Sequence, residues 1–148
     1  MMKIDIICIG RLKEDYLRAA QQEYLKRLGP YARMSVTELP TEQSPEKESA
    51  HIERALANGA YPIALAIEGV AISSEDFAAR LADIATGGIS RIAFIIGGSV
   101  GLSPKVLARC PVKLSLSAMT FPHQLARIIL LEQIYRAYSI IGNRPYHK

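Results

Sequence analysis

The residues best suited to chemistry lie near the C-terminal end of the chain. His123, Arg127, Glu132 and Arg136 fall within one predominantly apolar segment, and His147 precedes the last residue. A histidine changes its charge near neutral pH and can take a proton from a weak acid. A neighbouring arginine favours the deprotonated form of such an acid. Charged groups in an apolar helix, between a small polar loop and a basic tail, indicate a site.

Each of these residues also has a purely structural interpretation. His123 could form a hydrogen bond near the start of a helix. Glu132 and Arg136 are spaced as an i, i+4 ion pair. The tail 143–148 could be a frayed end, although its aromatic and basic composition favours a contact with substrate. The residue types alone leave these alternatives open.

Charge is distributed unevenly along the chain. The net charge is +4, but residues 87–148 carry eight Lys and Arg against one acid, whereas residues 1–86 carry ten against thirteen. A surface with this excess of positive charge attracts a polyanion such as RNA. The alternative is a solvated basic surface that binds nothing.

Length and composition indicate one folded domain. The 148 residues are 49% hydrophobic and 22% charged, which favours a packed core over disorder. No apolar run approaches the ~20 residues that a membrane span needs, and the N-terminus lacks the features of a signal peptide. Cys8 and Cys110 are far apart without metal-ligand spacing, so we expect buried free thiols, a cytoplasmic protein, no metal and no membrane.

Apolar runs alternate with helical patterns from end to end. Predicted strands cover residues 3–9, 34–39, 63–67, 91–96 and 112–116, and predicted helices cover 14–28, 44–59, 73–85, 103–109 and a last segment that starts at 121–123. This alternation predicts an α/β fold with a mainly parallel sheet and helices on both faces. The last helix, with Pro122 at its first position, is apolar nearly all round and should be buried on more than one side.

Unusual loops follow three of the predicted strands. They contain Glu68-Gly69, then Gly97-Gly98 with Gly101, then the small and polar run from Ser117 to Thr120. Ligands of open α/β sheets bind at the carboxyl ends of strands, and glycines let a ligand approach the backbone. Neither the dinucleotide fingerprint G-x-G-x-x-G nor a P-loop is present. The three loops together predict a binding site for a small organic ligand.

Ordered motifs in the second half of the chain resemble those of a known family. They are Phe94-Ile95-Ile96-Gly97-Gly98-x-x-Gly101-Leu102, Leu116-Ser117-x-x-Thr120-x-Pro122-His123-x-x-x-Arg127, Glu132-Gln133-x-Tyr135-Arg136-Ala137 and Pro145-Tyr146-His147-Lys148. These motifs resemble the SPOUT class of methyltransferases, and within it the small bacterial enzymes that methylate N3 of a pseudouridine in 23S ribosomal RNA. The resemblance covers residues 1–148 as a single domain.

The resemblance implies S-adenosylmethionine as cofactor, a homodimer, and a deep trefoil knot in the C-terminal part of the chain. We expect the dimer to form through the last helix, since Leu125, Ile129, Ile134 and Tyr138 lie on different sides of it. The expected site residues, which come from the resemblance and from the chemistry of the side chains together, fall into three groups. Leu65, Gly97, Leu116, Ser117, Ala118, Met119, Thr120 and Phe121 would bind the cofactor; His123, Arg136 and His147 would be catalytic; Arg127, Arg144, Tyr146 and Lys148 would bind substrate.

The resemblance further implies the reaction, methylation of N3 of pseudouridine 1915 in the helix 69 loop of 23S ribosomal RNA, on assembled ribosomes. The imide N3 must lose its proton, for which a histidine is the obvious base and an arginine the obvious stabiliser of the anion. A non-catalytic RNA-binding module is the alternative from another class, although it would not need three small-residue loops. A flavodoxin-like nucleotide-binding protein fits less well because the phosphate-type loops are wrong.

Overall fold

The computed structural model describes residues 1–147, so Lys148, which was expected to bind substrate, lies outside the described residues. Strands and helices alternate without exception. In chain order they are β1 (Met2–Ile9), α1 (Asp15–Leu28), β2 (Ala32–Leu39), α2 (Pro45–Ala55), β3 (Tyr61–Ala71), α3 (Ser74–Thr86), β4 (Arg91–Ile96), α4 (Pro104–Arg109), β5 (Val112–Ser115) and α5 (His123–Ile141).

The five strands form one sheet in the order β2-β1-β4-β3-β5. Every pairing between neighbouring strands is parallel. The predicted α/β class with a parallel sheet is therefore confirmed. Since β4, β3 and β5 are adjacent, the loops that follow them emerge at the same edge.

The sheet is buried on both faces. Along β1, Ile6 and Cys8 join a core with α1, α3 and α5, whereas Ile7 and Ile9 join a second core with α2 and α4. This alternation follows from the two-residue period of a strand. It explains why β4, which lies at the centre of the sheet, is apolar and buried from Ile92 to Ile96, as expected for a parallel sheet covered by helices.

Helix starts follow the sequence closely. The hydroxyl of Ser73 accepts a hydrogen bond from the amide of Asp76 at 3.0 Å, so Ser73 caps α3 at the predicted start of this helix. Most helix boundaries lie within one residue of the prediction, and two of the differences have a clear structural cause. The second helix ends at Ala55, because Leu56 turns to extended backbone, and Pro122 is the N-cap of α5 instead of its first helical residue.

Strand β3 is longer than the predicted 63–67 and is interrupted. Both Leu65 and Val70 pair with Leu114, so residues 66–69 leave the sheet as a bulge. A Cβ on Gly69 would lie 2.6 Å from the carbonyl oxygen of Lys113, closer than any real contact. Glycine is therefore required where the chain re-enters the sheet against β5.

Helix α5 lies between α1 and α3 and packs on both. Ile134 is fully buried in this layer and the Tyr138 ring stacks on Tyr31, with 6.1 Å between centroids. The expected burial on more than one side is confirmed, but it is met largely within one chain. Of the side chains that suggested a dimer, only Leu125, at 40% exposure, is strongly exposed. The apolar character of α5 alone is therefore not an argument for a dimer.

The two cysteines are free and buried, as predicted. Burial raises the pKa of the Cys8 thiol from 9.0 to about 12, against a smaller lowering by the positive charge of Arg127. The thiol is therefore protonated and unreactive in the folded chain at neutral pH. Among residues 1–147, no helix is long and apolar enough to cross a membrane.

The raised pKa of Cys8 predicts a loss of stability in alkali. Below pH 9 both folded and unfolded chains keep the proton, and above it only the folded chain does, so the free energy of unfolding falls between pH 9 and about pH 12. One such group contributes a slope of at most about 1.4 kcal/mol per pH unit. Urea unfolding of wild type and Cys8→Ala across this range should give a shallower slope for the variant. Equal slopes would contradict the prediction.

Candidate active site

A cavity of about 380 Å³ opens at the carboxyl edge of the sheet, where β4, β3 and β5 end. Its size lies within the ~300–1,000 Å³ of small-molecule sites. Its walls come from the bulge of β3, the loop after β4, the loop after β5 and the start of α5. They include Leu65, Ile67, Glu68, Gly97, Gly98, Ser99, Gly101, Leu102, Leu116, Ser117, Met119, Thr120, Phe121 and His123.

The loop after β4 is a tight turn closed on itself. The amide of Gly101 donates to the carbonyl of Gly98 at 3.1 Å, and Gly101 has a φ of +77°, which favours glycine. A Cβ on Gly97 would lie 3.0 Å from the carbonyl carbon of Gly101. Glycine at 97 therefore allows the two ends of the turn to lie against each other beside the cavity.

The loop after β5 is shaped by its own serines. The Ser117 hydroxyl accepts a hydrogen bond from the Met119 amide at 3.0 Å, and the Ser115 hydroxyl donates to the Ser117 carbonyl at 2.9 Å. Seven of the eight residues expected to bind a cofactor line the cavity, Ala118 being the exception. The Met119 side chain is 75% exposed at the rim.

Among residues 1–147, two ionisable side chains line the cavity. His123 comes from the first residue of α5, and Glu68 comes from the bulge of β3. The loop that contains Glu68 was predicted to form part of the ligand site, but Glu68 itself was not named as a binding residue. In the sequence, the only indication of a role for Glu68 was that it is a single acid before a glycine at the end of a predicted strand. The position of its side chain in the cavity depends on the bulge of β3, which was not predicted.

A second group of residues forms what we call the C-terminal cluster: Glu75, Glu132, Arg136, Tyr146 and His147. Arg136, Tyr146 and His147 were predicted to act in the site, whereas Glu75 was not singled out in the sequence. Arg136 forms an ion pair with Glu132, with 3.0 Å between Nη2 and Oε2, and the Tyr146 hydroxyl donates a hydrogen bond to the same carboxylate at 2.8 Å. Arg136 also lies 5.0 Å from the centroid of the Tyr146 ring. The i, i+4 ion pair anticipated from the sequence is confirmed, and the tail is folded back onto α5.

Both ring nitrogens of His147 are engaged. Nδ1 lies 3.0 Å from Nη1 of Arg136, which can only donate, so Nδ1 accepts and Nε2 carries the proton. Nε2 lies 2.7 Å from the carboxylate of Glu75 and donates to it. In this conformation His147 has no free nitrogen with which to take a proton from a substrate.

The pKa values of the cluster reinforce this arrangement. The hydrogen bond to Glu132 raises the pKa of Arg136 above its usual value, so the guanidinium stays charged. Burial, with the hydrogen bond to Glu132, raises the pKa of Tyr146 to about 12. The Tyr146 hydroxyl therefore acts as a donor at neutral pH, never as a base.

Arg144 closes the last turn of α5. Its guanidinium donates to the carbonyl of Tyr138 at 3.0 Å and lies 4.0 Å from the centroid of the Tyr31 ring. A Cβ on Gly142 would lie 2.7 Å from this guanidinium. In the single chain Arg144 therefore holds the tail in place, and its expected contact with substrate stays a prediction.

Arg127 does not reach the surface. It is 1% exposed, and its guanidinium donates to Glu38 at 2.6 Å, to the Gly10 carbonyl at 3.1 Å and to Gln21 at 3.2 Å. This burial corrects the expectation that Arg127 binds substrate. Its role is to join α5 to β1, β2 and α1, since a buried charge is stable only when it is paired.

One chain does not bring all the predicted catalytic residues together. His123 lines the cavity, whereas Arg136 and His147 belong to the C-terminal cluster. His123 and Arg136 are 13 residues apart on α5, which is about 20 Å at a rise of 1.5 Å per residue. Within residues 1–147, no group of three or more His, Cys, Asp or Glu side chains could hold a metal ion.

Residues 2–147 match the model of a family described as "Predicted SPOUT methyltransferase". Similar proteins named "Ribosomal RNA large subunit methyltransferase H" align along their full length. The one from Bifidobacterium animalis subsp. lactis is 50% identical, over 99% of this chain and 100% of that protein. The one from Desulforamulus reducens is 46% identical over 100% of both. The one from Bacillus anthracis is 50% identical over 99% and 100%.

Proposed function

Since this chain belongs to the SPOUT methyltransferase family, we propose that it is a ribosomal RNA methyltransferase that uses S-adenosylmethionine. We propose N3 of pseudouridine 1915 in 23S ribosomal RNA, within the ribosome, as the methylated atom. The observation that carries the proposal is the cavity at the ends of β4, β3 and β5, with His123 in its wall. The cytoplasm, where ribosomes work, is the proposed location.

The residues of the cavity suit this cofactor. Gly97, Gly98 and Gly101 present backbone without side chains, and the loop from Leu116 to Phe121 adds amide and carbonyl groups for a planar base. The Glu68 carboxylate in the same cavity is a suitable partner for the amino group of the methionine part. When bound, the cofactor supplies a methyl group that is already activated by its sulfonium centre.

The protein has two remaining tasks. It must hold the acceptor nitrogen in line with the methyl group, and this placement supplies the larger part of the rate enhancement. It must also accept the N3 proton, and His123 is the histidine of the cavity wall. A target base within structured RNA must be in a loop or leave its stack to enter the cavity.

A homodimer remains part of the proposal. A dimer in which the C-terminal cluster of one copy faces the cavity of the other would bring the two separate groups of residues into one site. Exposed apolar side chains on the outer surface of the α1 and α5 layer, Tyr16 at 70% and Leu125 at 40%, support an interface there. The trefoil knot of the C-terminal part also remains a proposal, supported by the family resemblance.

Methyl transfer to ribosomes tests the proposed function. Ribosomes lacking the modification are incubated with the protein and S-adenosylmethionine labelled in its methyl group, and the product nucleotide is mapped. We expect one methyl group on N3 of the target pseudouridine and none when uridine replaces it. Protein-free 23S ribosomal RNA, as a parallel substrate, shows whether the assembled ribosome is needed. RNA binding without transfer would support the non-catalytic RNA-binding module instead.

A further inference from the structure

Positive charge is distributed in space differently from its distribution along the chain. Within the described residues, four arginines of the basic half of the chain are in ion pairs, and three of the acids come from residues 1–86. The pairs are Arg91 with Asp5, Arg109 with Glu53, Arg127 with Glu38, and Arg136 with Glu132. The basic half of the sequence is therefore partly neutralised by the acidic half, and its location does not identify an RNA-binding surface.

A polar groove of about 870 Å³ lies outside the cavity, at the carboxyl ends of β1 and β2. We call it the β1–α1 groove, and the side chains that matter for binding are Arg11, Lys13, Arg18, Gln21, Glu38 and Thr41. Three of these are cationic and one is an acid. Glutamine and threonine add neutral hydrogen-bonding groups between them.

The negative charge of Glu38, the acid of the groove, is balanced by a buried arginine. Glu38 accepts a 2.6 Å hydrogen bond from Arg127, which is buried beneath it. Arg18 pairs with Asp15 and donates to the Leu12 carbonyl at 2.7 Å. Arg11 and Lys13 are exposed, and in the described part of the chain neither has an ion-pair partner. The groove therefore retains two cations that are free to bind an anion.

The groove is joined to the wall of the cavity. The backbone amide of Lys13 donates to the side chain of Gln124 at 3.0 Å, and Gln124 follows His123, which lines the cavity. The Gly10 carbonyl accepts from Arg127 on the same helix at 3.1 Å. The loop that carries Arg11 and Lys13 is thus fixed to the start of α5, one residue from the proposed base.

We propose that the β1–α1 groove binds the phosphodiester backbone of the RNA substrate beside the target nucleotide, with Arg11 and Lys13 as the phosphate contacts. The inference rests on the proposed function, since the target base must occupy the cavity that His123 lines. Cations bound to phosphates release condensed counterions, so these two residues contribute to the salt dependence of binding. They read no sequence, and they position the strand.

The double variant Arg11→Ala/Lys13→Ala tests the groove. The KM for ribosomes should rise roughly tenfold, and the plot of log(kcat/KM) against log salt should become shallower by about 2. Calorimetry should give unchanged affinity for S-adenosylmethionine. The variant Arg11→Lys/Lys13→Arg keeps both charges and should restore KM and the salt slope.

Lys3 and Arg33 provide a matched control. They are one lysine and one arginine, both exposed, paired in register at the amino ends of β1 and β2, at the opposite edge of the sheet. Lys3→Ala/Arg33→Ala should leave KM and the salt slope as in wild type. An equal loss in this control would overturn the inference, because any removal of positive charge would then act alike.

The outcomes separate the groove from the proposed function. If Arg11→Ala/Lys13→Ala transfers methyl groups with the KM and salt slope of wild type, the β1–α1 groove does not bind the RNA backbone. The proposed methyltransferase function would be unaffected by that result. Absence of transfer by wild type would disprove the proposed function. In that case, binding of a fluorescent loop RNA without cofactor still tests the groove, and equal affinities of wild type and double variant would overturn it.

Discussion

Gly97→Val should weaken binding of S-adenosylmethionine by between about 10-fold and 100-fold while the protein stays folded. A Cβ at this position would lie 3.0 Å from the carbonyl carbon of Gly101 and 3.2 Å from Leu102, so even alanine must shift the turn. Valine adds two methyl groups in the wall of the cavity. Overpacking of this kind costs about 1–3 kcal/mol, and 1.4 kcal/mol is a tenfold change in affinity.

A graded series makes this result interpretable. Calorimetry with S-adenosylmethionine and with its demethylated product should show Gly97→Ala between wild type and Gly97→Val. Gly87→Val, at the C-cap of α3, places its Cβ at an ordinary 3.4 Å from the Asp83 carbonyl and lies away from the cavity. It should keep wild-type affinity, as a control for general destabilisation. Unchanged affinity in a folded Gly97→Val protein would remove the glycine turn from the site.

The cavity could be predicted because parallel strands end at a common edge. The loops at Gly97 and at Leu116–Phe121 follow two short strand-like runs, the first continuously apolar and the second alternating between apolar and polar residues. Such runs have few alternative interpretations in an α/β chain. Once the strands were placed, the residues after them had to meet near the same edge, and the structure brings them to one cavity.

The bulge of β3 could not be predicted in the same way. Residues 66–69 leave the sheet only because Leu65 and Val70 both pair with Leu114, a partner that lies over 40 positions later in the chain. Locally, Glu68-Gly69 has the composition of an ordinary strand end. The requirement for glycine arises from contact with the backbone of Lys113, so it is a property of the tertiary structure.

Arg127 and Arg136 show the same limit for charged side chains. The spacing of Glu132 and Arg136 fixes them on one face of a helix, and their ion pair was foreseeable. The partner of Arg127 is Glu38, 89 positions away on strand β2. Sequence position therefore favoured a substrate contact for Arg127, whereas packing gives it a buried partner.

The chemical step gives the second large prediction, and it distinguishes two histidines. His123→Ala should lower kcat for methyl transfer by about 10²- to 10⁴-fold, the usual contribution of a positioned general base. Cofactor affinity should stay close to that of wild type, since the glycine turn and the loop after β5 remain. The loss should shrink as pH rises, because the imide then ionises without a base.

The geometry predicts a different result for His147→Ala. In the single chain, Nδ1 of His147 accepts from Arg136 and Nε2 donates to Glu75, so the ring holds the tail against α5 and has no free nitrogen. Its loss should release the tail and weaken RNA binding. The KM should therefore rise, and the resulting fall in kcat/KM should not be rescued at high pH. His147→Asn, which keeps one donor and one acceptor, should retain part of the wild-type KM.

The pH profiles of kcat decide between the two residues. Because folding itself weakens in alkali through the raised pKa of Cys8, each variant must be shown by circular dichroism to stay folded at the highest pH used. A rescuable defect in His147→Ala with wild-type turnover in His123→Ala would transfer the base to the C-terminal cluster. In one chain that cluster is centred on Arg136, about 20 Å along α5 from His123, so a second copy would have to bring it to the cavity.

Wild-type profiles in both variants would mean that no histidine acts as base, and that stabilisation of the imide anion by a cation such as Arg136 lowers the barrier instead.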